Sequence, residues 1–147
     1  MYTLDFPNPP QRPTIRRVPG REIQTMSRRS EDRGFFNHHG SFNVPGDGRN
    51  RLVVRFGPVI YLAMELSPAE RSEVESHEMD HFNDFLAAAR DLKNHLNRAV
   101  RQATWADLQV AWDWFNYYVR DDARNLHRSM GRDTIVMNPR PRSTAPY

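Results

Sequence analysis

The stretch from Ala69 to Met130 contains neither glycine nor proline, and it constrains the fold more than any other feature. Because these residues break helix interiors, a gap of this length favours long helices. The residues just before it form a helix start, with Ser67 at the N-cap, Pro68 at the first helical position and Glu70 in capping-box position. We therefore predict a long helix that begins at Pro68.

Two amphipathic helices are predicted in this stretch. The apolar residues of the first recur at helical spacing: Phe82, Phe85, Leu86, Ala89, Leu92, Leu96 and Val100. A second capping box, Thr104 with Asp107, then precedes another apolar stripe of Trp105, Leu108, Trp112, Phe115 and Val119. We expect the two helices to pack antiparallel.

Two strands are predicted before the first helix. Residues 52–56 and 59–64 are β-branched and apolar, and Gly57-Pro58 forms a turn between them. Val59 to Met64 is a candidate edge strand that holds an extended peptide by strand addition, and the alternative is an ordinary core strand. The chain is thus expected to be α+β, with short strands followed by two long antiparallel helices.

The two ends of the chain have a different composition. Residues 1–20 carry five prolines, which favours an extended or polyproline-like segment. We predict an extended basic arm with loops over 1–50, a folded domain over 51–131 and an extended tail over 132–147.

The charge is unevenly distributed. Arginine supplies 20 of the 21 basic residues, and the net charge is +5 over 1–55, −4 over 56–130 and +2 over 131–147. Basic Pro-rich ends indicate protein partners that hold them in place, whereas arginine bias from codon composition is the alternative explanation. Nucleic acid is the weaker expectation, because no recognition helix or RNA-binding signature accompanies the arginines.

Composition also excludes several classes. The chain has no cysteine, so neither a disulfide nor a thiolate zinc site can form. No apolar run approaches the length of a membrane span, and residues 1–20 lack the apolar core of a secretory signal. We expect a cytoplasmic location, or export or virion association by a route independent of that signal.

The first predicted helix contains the motif His77-Glu78-x-x-His81. Residues four apart share a helix face, so His77 and His81 can offer two imidazoles to one Zn²⁺. Glu78 is then placed to act as general base toward a metal-activated water. The alternative is a pair of partly buried core histidines. A third ligand is expected from the far end of the second helix, with His127 the first candidate and Asp122 the second.

These features resemble a bacterial family of zincin-like HExxH proteins, regarded as zinc-dependent peptidases and otherwise of unknown function. The resemblance covers about residues 52–130 and rests on matching positions in two motifs: His77, Glu78, His81 and Phe82, then Asp122 and His127. Asp121, Asn125 and Arg128-Ser129 depart from the second motif.

The resemblance implies a zinc metallopeptidase. Tyr118 and Tyr117, which lie close in sequence to the candidate third ligands, are candidates to donate a hydrogen bond to the oxyanion of the reaction. A competing hypothesis is a non-catalytic structural or cargo subunit of a larger assembly, such as a viral particle or a secretion machine, anchored by its basic arms.

Overall fold

The structure is a computed structural model that describes residues 1–121. Within them the chain forms six short strands, three α-helices and a final π-helical turn, which confirms the α+β class. The strands are β1 (Thr3–Asp5), β2 (Thr14–Val18), β3 (Gly34–Asn37), β4 (Ser41–Asn43), β5 (Arg51–Arg55) and β6 (Val59–Ala63). The helices are α1 (Gly20–Ser27), α2 (Pro68–Ala99) and α3 (Trp105–Asn116), and the π-helical turn is Tyr117–Asp121.

The strands form two three-stranded sheets with the same connectivity. The order is β1-β5-β4 in the first sheet and β2-β6-β3 in the second. In each sheet the last strand in sequence is central, runs parallel to the first and antiparallel to the middle one. The two central strands, β5 and β6, are the two strands predicted from the sequence.

Of the described residues, one compact unit contains 1–8, 41–55 and 84–121. Its buried residues include Leu52 and Val54 of β5, Phe85, Leu92 and Leu96 of α2, and Leu108 and Phe115 of α3. The rings of Phe85 and Phe115 lie 6.1 Å apart, so the chain reverses between α2 and α3 as the antiparallel prediction requires. Asp5 joins β1 to β5, since its carboxylate accepts hydrogen bonds from Arg51 and Arg55, each at 2.9 Å.

The other unit contains residues 9–40 and 56–83, and it carries the HExxH motif. The second sheet lies between α1 and the first half of α2. On one face Ile23 of α1 is fully buried in a cluster with Ala63 and Leu66. On the other, the ring of Phe36 in β3 meets that of Phe82 in α2 edge-on at 6.0 Å.

The N-terminal 50 residues differ from the predicted arm. They supply four strands and α1, and β1 and β2 pair in register with β5 and β6. The prolines flank these strands instead of interrupting them: Pro13 precedes β2 and Pro19 follows it. A parallel partner some 45 residues away leaves no local signal in a strand of mostly exposed residues. The proposed tail, 132–147, lies outside the described residues.

The edge-strand role predicted for Val59 to Met64 is wrong. β6 has a neighbour on both sides, β2 and β3, so a peptide cannot add to it. Its residues Ile60 and Leu62 are fully buried, as in the alternative of a core strand. The edges of this sheet are β2 and β3.

For the described part of the chain, no helix is both long and apolar enough to cross a membrane.

Candidate metal centre

The start of α2 is fixed by the capping box seen in the sequence. The backbone N–H of Ser67 donates to Glu70 at 3.0 Å, and the Glu70 N–H donates to the Ser67 hydroxyl at 3.3 Å. Glu70 also pairs with Arg33, just before β3, at 2.6 Å. The helix N-terminus and β3 are thereby held together, and the motif follows two turns into the helix.

The motif residues come together as the helical spacing predicts. The Nε2 atoms of His77 and His81 lie 3.2 Å apart. With the carboxylate of Glu78 they form a group whose potential ligand atoms all lie within 4.8 Å of one another. His77 is exposed and His81 half-buried, so the alternative of core histidines is wrong for His77.

The spacing of the imidazoles matches that required by zinc. Two nitrogens bound at about 2.0–2.1 Å with a tetrahedral angle between them lie about 3.3–3.4 Å apart. The observed Nε2–Nε2 distance of 3.2 Å is within a few tenths of an ångström of that value. Imidazole nitrogen is also a ligand suited to zinc. The two imidazoles are therefore spaced as two ligands of a single metal ion would be.

Glu78 is the buried member of the group, with 6% of its surface exposed. It belongs to the buried row of α2, one turn after Val74 and one turn before Phe82, whereas the histidines lie beside that row. The backbone N–H of Phe36 in β3 donates to its carboxylate. β3 thus covers the carboxylate and contributes a direct hydrogen bond to it.

Burial changes the acidity of Glu78. Loss of solvation raises the pKa of its carboxyl to about 7 from an ordinary value of 4.5, and the negative charge of Asp32 acts in the same direction. The hydrogen bond from Phe36 opposes the shift and lowers the pKa. A carboxyl that titrates near neutrality accepts a proton more readily than an exposed one.

The surface beside the histidines is polar and open. A shallow depression there is lined by Ser72, Glu73, Ser76, His77 and Asp80. Water can therefore reach His77 from solvent.

Asp122 and His127 lie outside the described residues, so both remain predictions. Tyr118 lies in the π-helical turn, where its ring contacts those of Trp114 and Tyr117. Its proposed role toward an oxyanion also remains a prediction.

Sequence reasoning missed three residues that shape the site: Gly34, Phe36 and Asp32. A Cβ on Gly34 would lie 2.5 Å from Val74 Cγ1 and 3.1 Å from Glu78 Cγ, so only glycine allows β3 to approach α2 this closely. The available signal was a glycine directly before two phenylalanines, which is typical of a strand at a close packing contact.

Gly34→Ala should destabilise the fold by about 1–3 kcal/mol, because Val74 or the Glu78 side chain must move to admit the methyl group. Gly57→Ala is the matched control, since a Cβ at Gly57 meets nothing within 4 Å. Urea unfolding of both variants measures the effect. Equal midpoints for the two variants would contradict the packing described here.

The metal-free protein should lose stability as the pH rises from about 4.5 to 7. In that range the unfolded chain has released the Glu78 proton and the folded state, with a pKa of about 7, still holds it. The loss is about 3 kcal/mol at pH 7 and is complete about one unit above it. Unfolding free energies measured in the presence of a chelator, with Glu78→Gln as reference, isolate the effect. Parallel pH profiles for the two proteins would show that the carboxyl is not buried as described.

Comparison with known proteins yields no significant match to any protein-family profile, curated protein or solved structure. The resemblance to zincin-like peptidases therefore rests on the motif residues alone, and the function must be argued from the site.

Proposed function

We propose that this chain is a zinc-dependent metallopeptidase. The observation that supports this most directly is the pair of Nε2 atoms, His77 and His81, 3.2 Å apart beside the buried carboxylate of Glu78. The motif alone gives spacing along the chain. The structure adds a helical setting, a separation that suits one metal ion and a desolvated carboxylate within reach of it.

Each residue has a distinct part in the proposed reaction. His77 and His81 would hold the metal, together with a third ligand for which His127 and Asp122 are the sequence candidates. A bound zinc would make a water molecule more acidic and polarise a substrate carbonyl. Glu78 would accept the proton of the attacking water and deliver it to the leaving amine.

The hydrogen bond from Phe36 supports the assignment of Glu78 as a base and not as a ligand. A carboxylate whose position is fixed by a backbone N–H and by burial under β3 is restrained in its reach toward the metal. A restrained base with one hydrogen bond to the protein retains acceptor capacity for water.

The alternative of a structural or cargo subunit was suggested by the two basic Pro-rich ends, which would need a partner to hold them in place. Residues 1–50 pair with β5 and β6 of their own chain, so their order requires no partner. This observation removes the N-terminal part of the argument for a structural subunit, and the C-terminal end, 132–147, lies outside the described residues.

Purified protein without an affinity tag should contain about one zinc per chain by elemental mass spectrometry. His77→Ala/His81→Ala should abolish the zinc, because both proposed imidazole ligands are lost. His95→Ala is the matched control, since it removes a histidine from the same helix outside the group. Absence of metal after reconstitution with zinc would overturn the proposal.

Glu78→Gln should retain zinc and lose peptide hydrolysis by at least about 10²-fold, because it removes the general base and keeps the shape of the side chain. Cleavage of a peptide library, followed by mass spectrometry, measures the activity. Glu75→Gln, one turn away, should cleave at the wild-type rate. If the wild type binds zinc but cleaves no peptide, the proposal of a metal site stands and the proposal of a peptidase is wrong.

A further inference from the structure

The outer edge of β2 exposes backbone and side-chain groups that could bind a partner. β2 is an edge strand, and its partner within residues 1–121 is β6. Thr14 to Arg17 are all exposed, and Ile15 exposes 46% of its surface despite its apolar side chain. The edge therefore offers both backbone and side-chain groups to solvent.

The parallel ladder determines which backbone groups face outward. Thr14 donates its N–H to the Pro58 carbonyl at 3.0 Å, and the Val18 carbonyl accepts from Met64 at 2.8 Å. Alternation along a parallel pair then directs the N–H and C=O groups of Ile15 and Arg17 away from β6. No residue of the described chain hydrogen-bonds to these four groups.

The next outward positions on either side are Pro13 and Pro19, which have no N–H to donate. The prolines thus limit the hydrogen-bonding edge to Ile15 and Arg17. An added strand of about four to five residues matches an edge of this length.

The edge is strongly basic. Residues 9–28 contain five arginines and a single acid, Glu22. Arg16 and Arg17 lie in the strand, with Arg12 and Arg21 close to its ends, and all four are exposed. None of them forms an ion pair within the part of the chain that the structure describes, although Arg17 donates to the Met64 carbonyl at 3.2 Å.

These features distinguish between possible occupants. Antiparallel pairing of two copies through Ile15 and Arg17 would place Arg16 opposite Arg16, which is unfavourable. The phosphate backbone of a nucleic acid would meet two outward carbonyls, which repel anions. It would also make no apolar contact with the exposed side chain of Ile15. An extended peptide matches the alternating donors and acceptors, and acidic side chains complement the arginines.

We propose that the outer edge of β2 binds an extended peptide segment with acidic side chains by strand addition. This binding does not depend on the metal centre. The arginines of β2 would then bind a partner, in addition to the protection from aggregation that charged edge strands provide.

The test measures fluorescence anisotropy of a labelled octapeptide of alternating Glu and Val, at low ionic strength, with the full-length chain. We expect saturable binding that Arg16→Glu/Arg17→Glu weakens about tenfold or more. Arg98→Glu/Arg101→Glu, which changes the net charge equally at exposed positions elsewhere, should bind as the wild type does.

Two further measurements separate strand addition from charge attraction. Ile15→Pro removes one outward N–H without removing a ladder hydrogen bond, and it should weaken binding while circular dichroism remains unchanged. If that variant does not fold, the same peptide with alternate backbone N-methyl groups tests the hydrogen bonds from the other side, and it should bind at least about tenfold more weakly.

Four outcomes would overturn the proposal. They are no saturable binding, equal binding of the N-methylated peptide, tighter binding of an oligothymidylate that depends on the same arginines, and self-association of the chain through β2. The first would leave the arginines as protection of an edge strand, and the last two would identify nucleic acid or a second copy as the partner.

Discussion

The packing of β3 against the first half of α2 is the contact on which the candidate site depends. It requires a glycine at position 34, because a side chain there would overlap Val74. The close approach places the Phe36 N–H against the Glu78 carboxylate and excludes water from it. An apolar residue would pack in the same place without the cost of desolvating a carboxyl, so stability alone does not account for a glutamate here. The chemical role proposed for the Glu78 carboxyl, beside two histidines, accounts for the glutamate at this position.

The long helices were predictable because their signals are local. Capping boxes at Ser67 and Thr104 fix where α2 and α3 begin, and both boxes form as expected. The N-terminal strands were not predictable for the opposite reason. β1 has three residues and β2 is mostly exposed, and each acquires its identity from a central strand about 45 residues later. Such pairing depends on tertiary contacts in the assembled sheet. Among the described strands, only the central ones, β5 and β6, have the alternating buried apolar residues that can be recognised in a sequence.

The same distinction applies to the site. The spacing of His77 and His81 is a helical property, and the sequence is sufficient to predict that their rings approach each other. The burial of Glu78 is a tertiary property, because it depends on a strand that the sequence did not reveal. Position within α2 offered a partial clue, since Glu78 falls in line with Val74 and Phe82 and the histidines do not. A motif therefore predicts which residues meet, whereas the protonation behaviour of its carboxylate depends on what covers it.

The two edges of the second sheet differ in a way that bears on how a peptide can approach it. In β3, the Arg33 carbonyl accepts from Ala63, so the N–H groups of Gly34 and Phe36 face away from β6. The N–H of Phe36 is already bound by Glu78, and a strand added at that position would have to displace the carboxylate. At the opposite edge the outward groups of Ile15 and Arg17 have no such competitor within the described chain. Strand addition is thus less costly at β2 than at β3, where the hydrogen bond to Glu78 would first have to be broken.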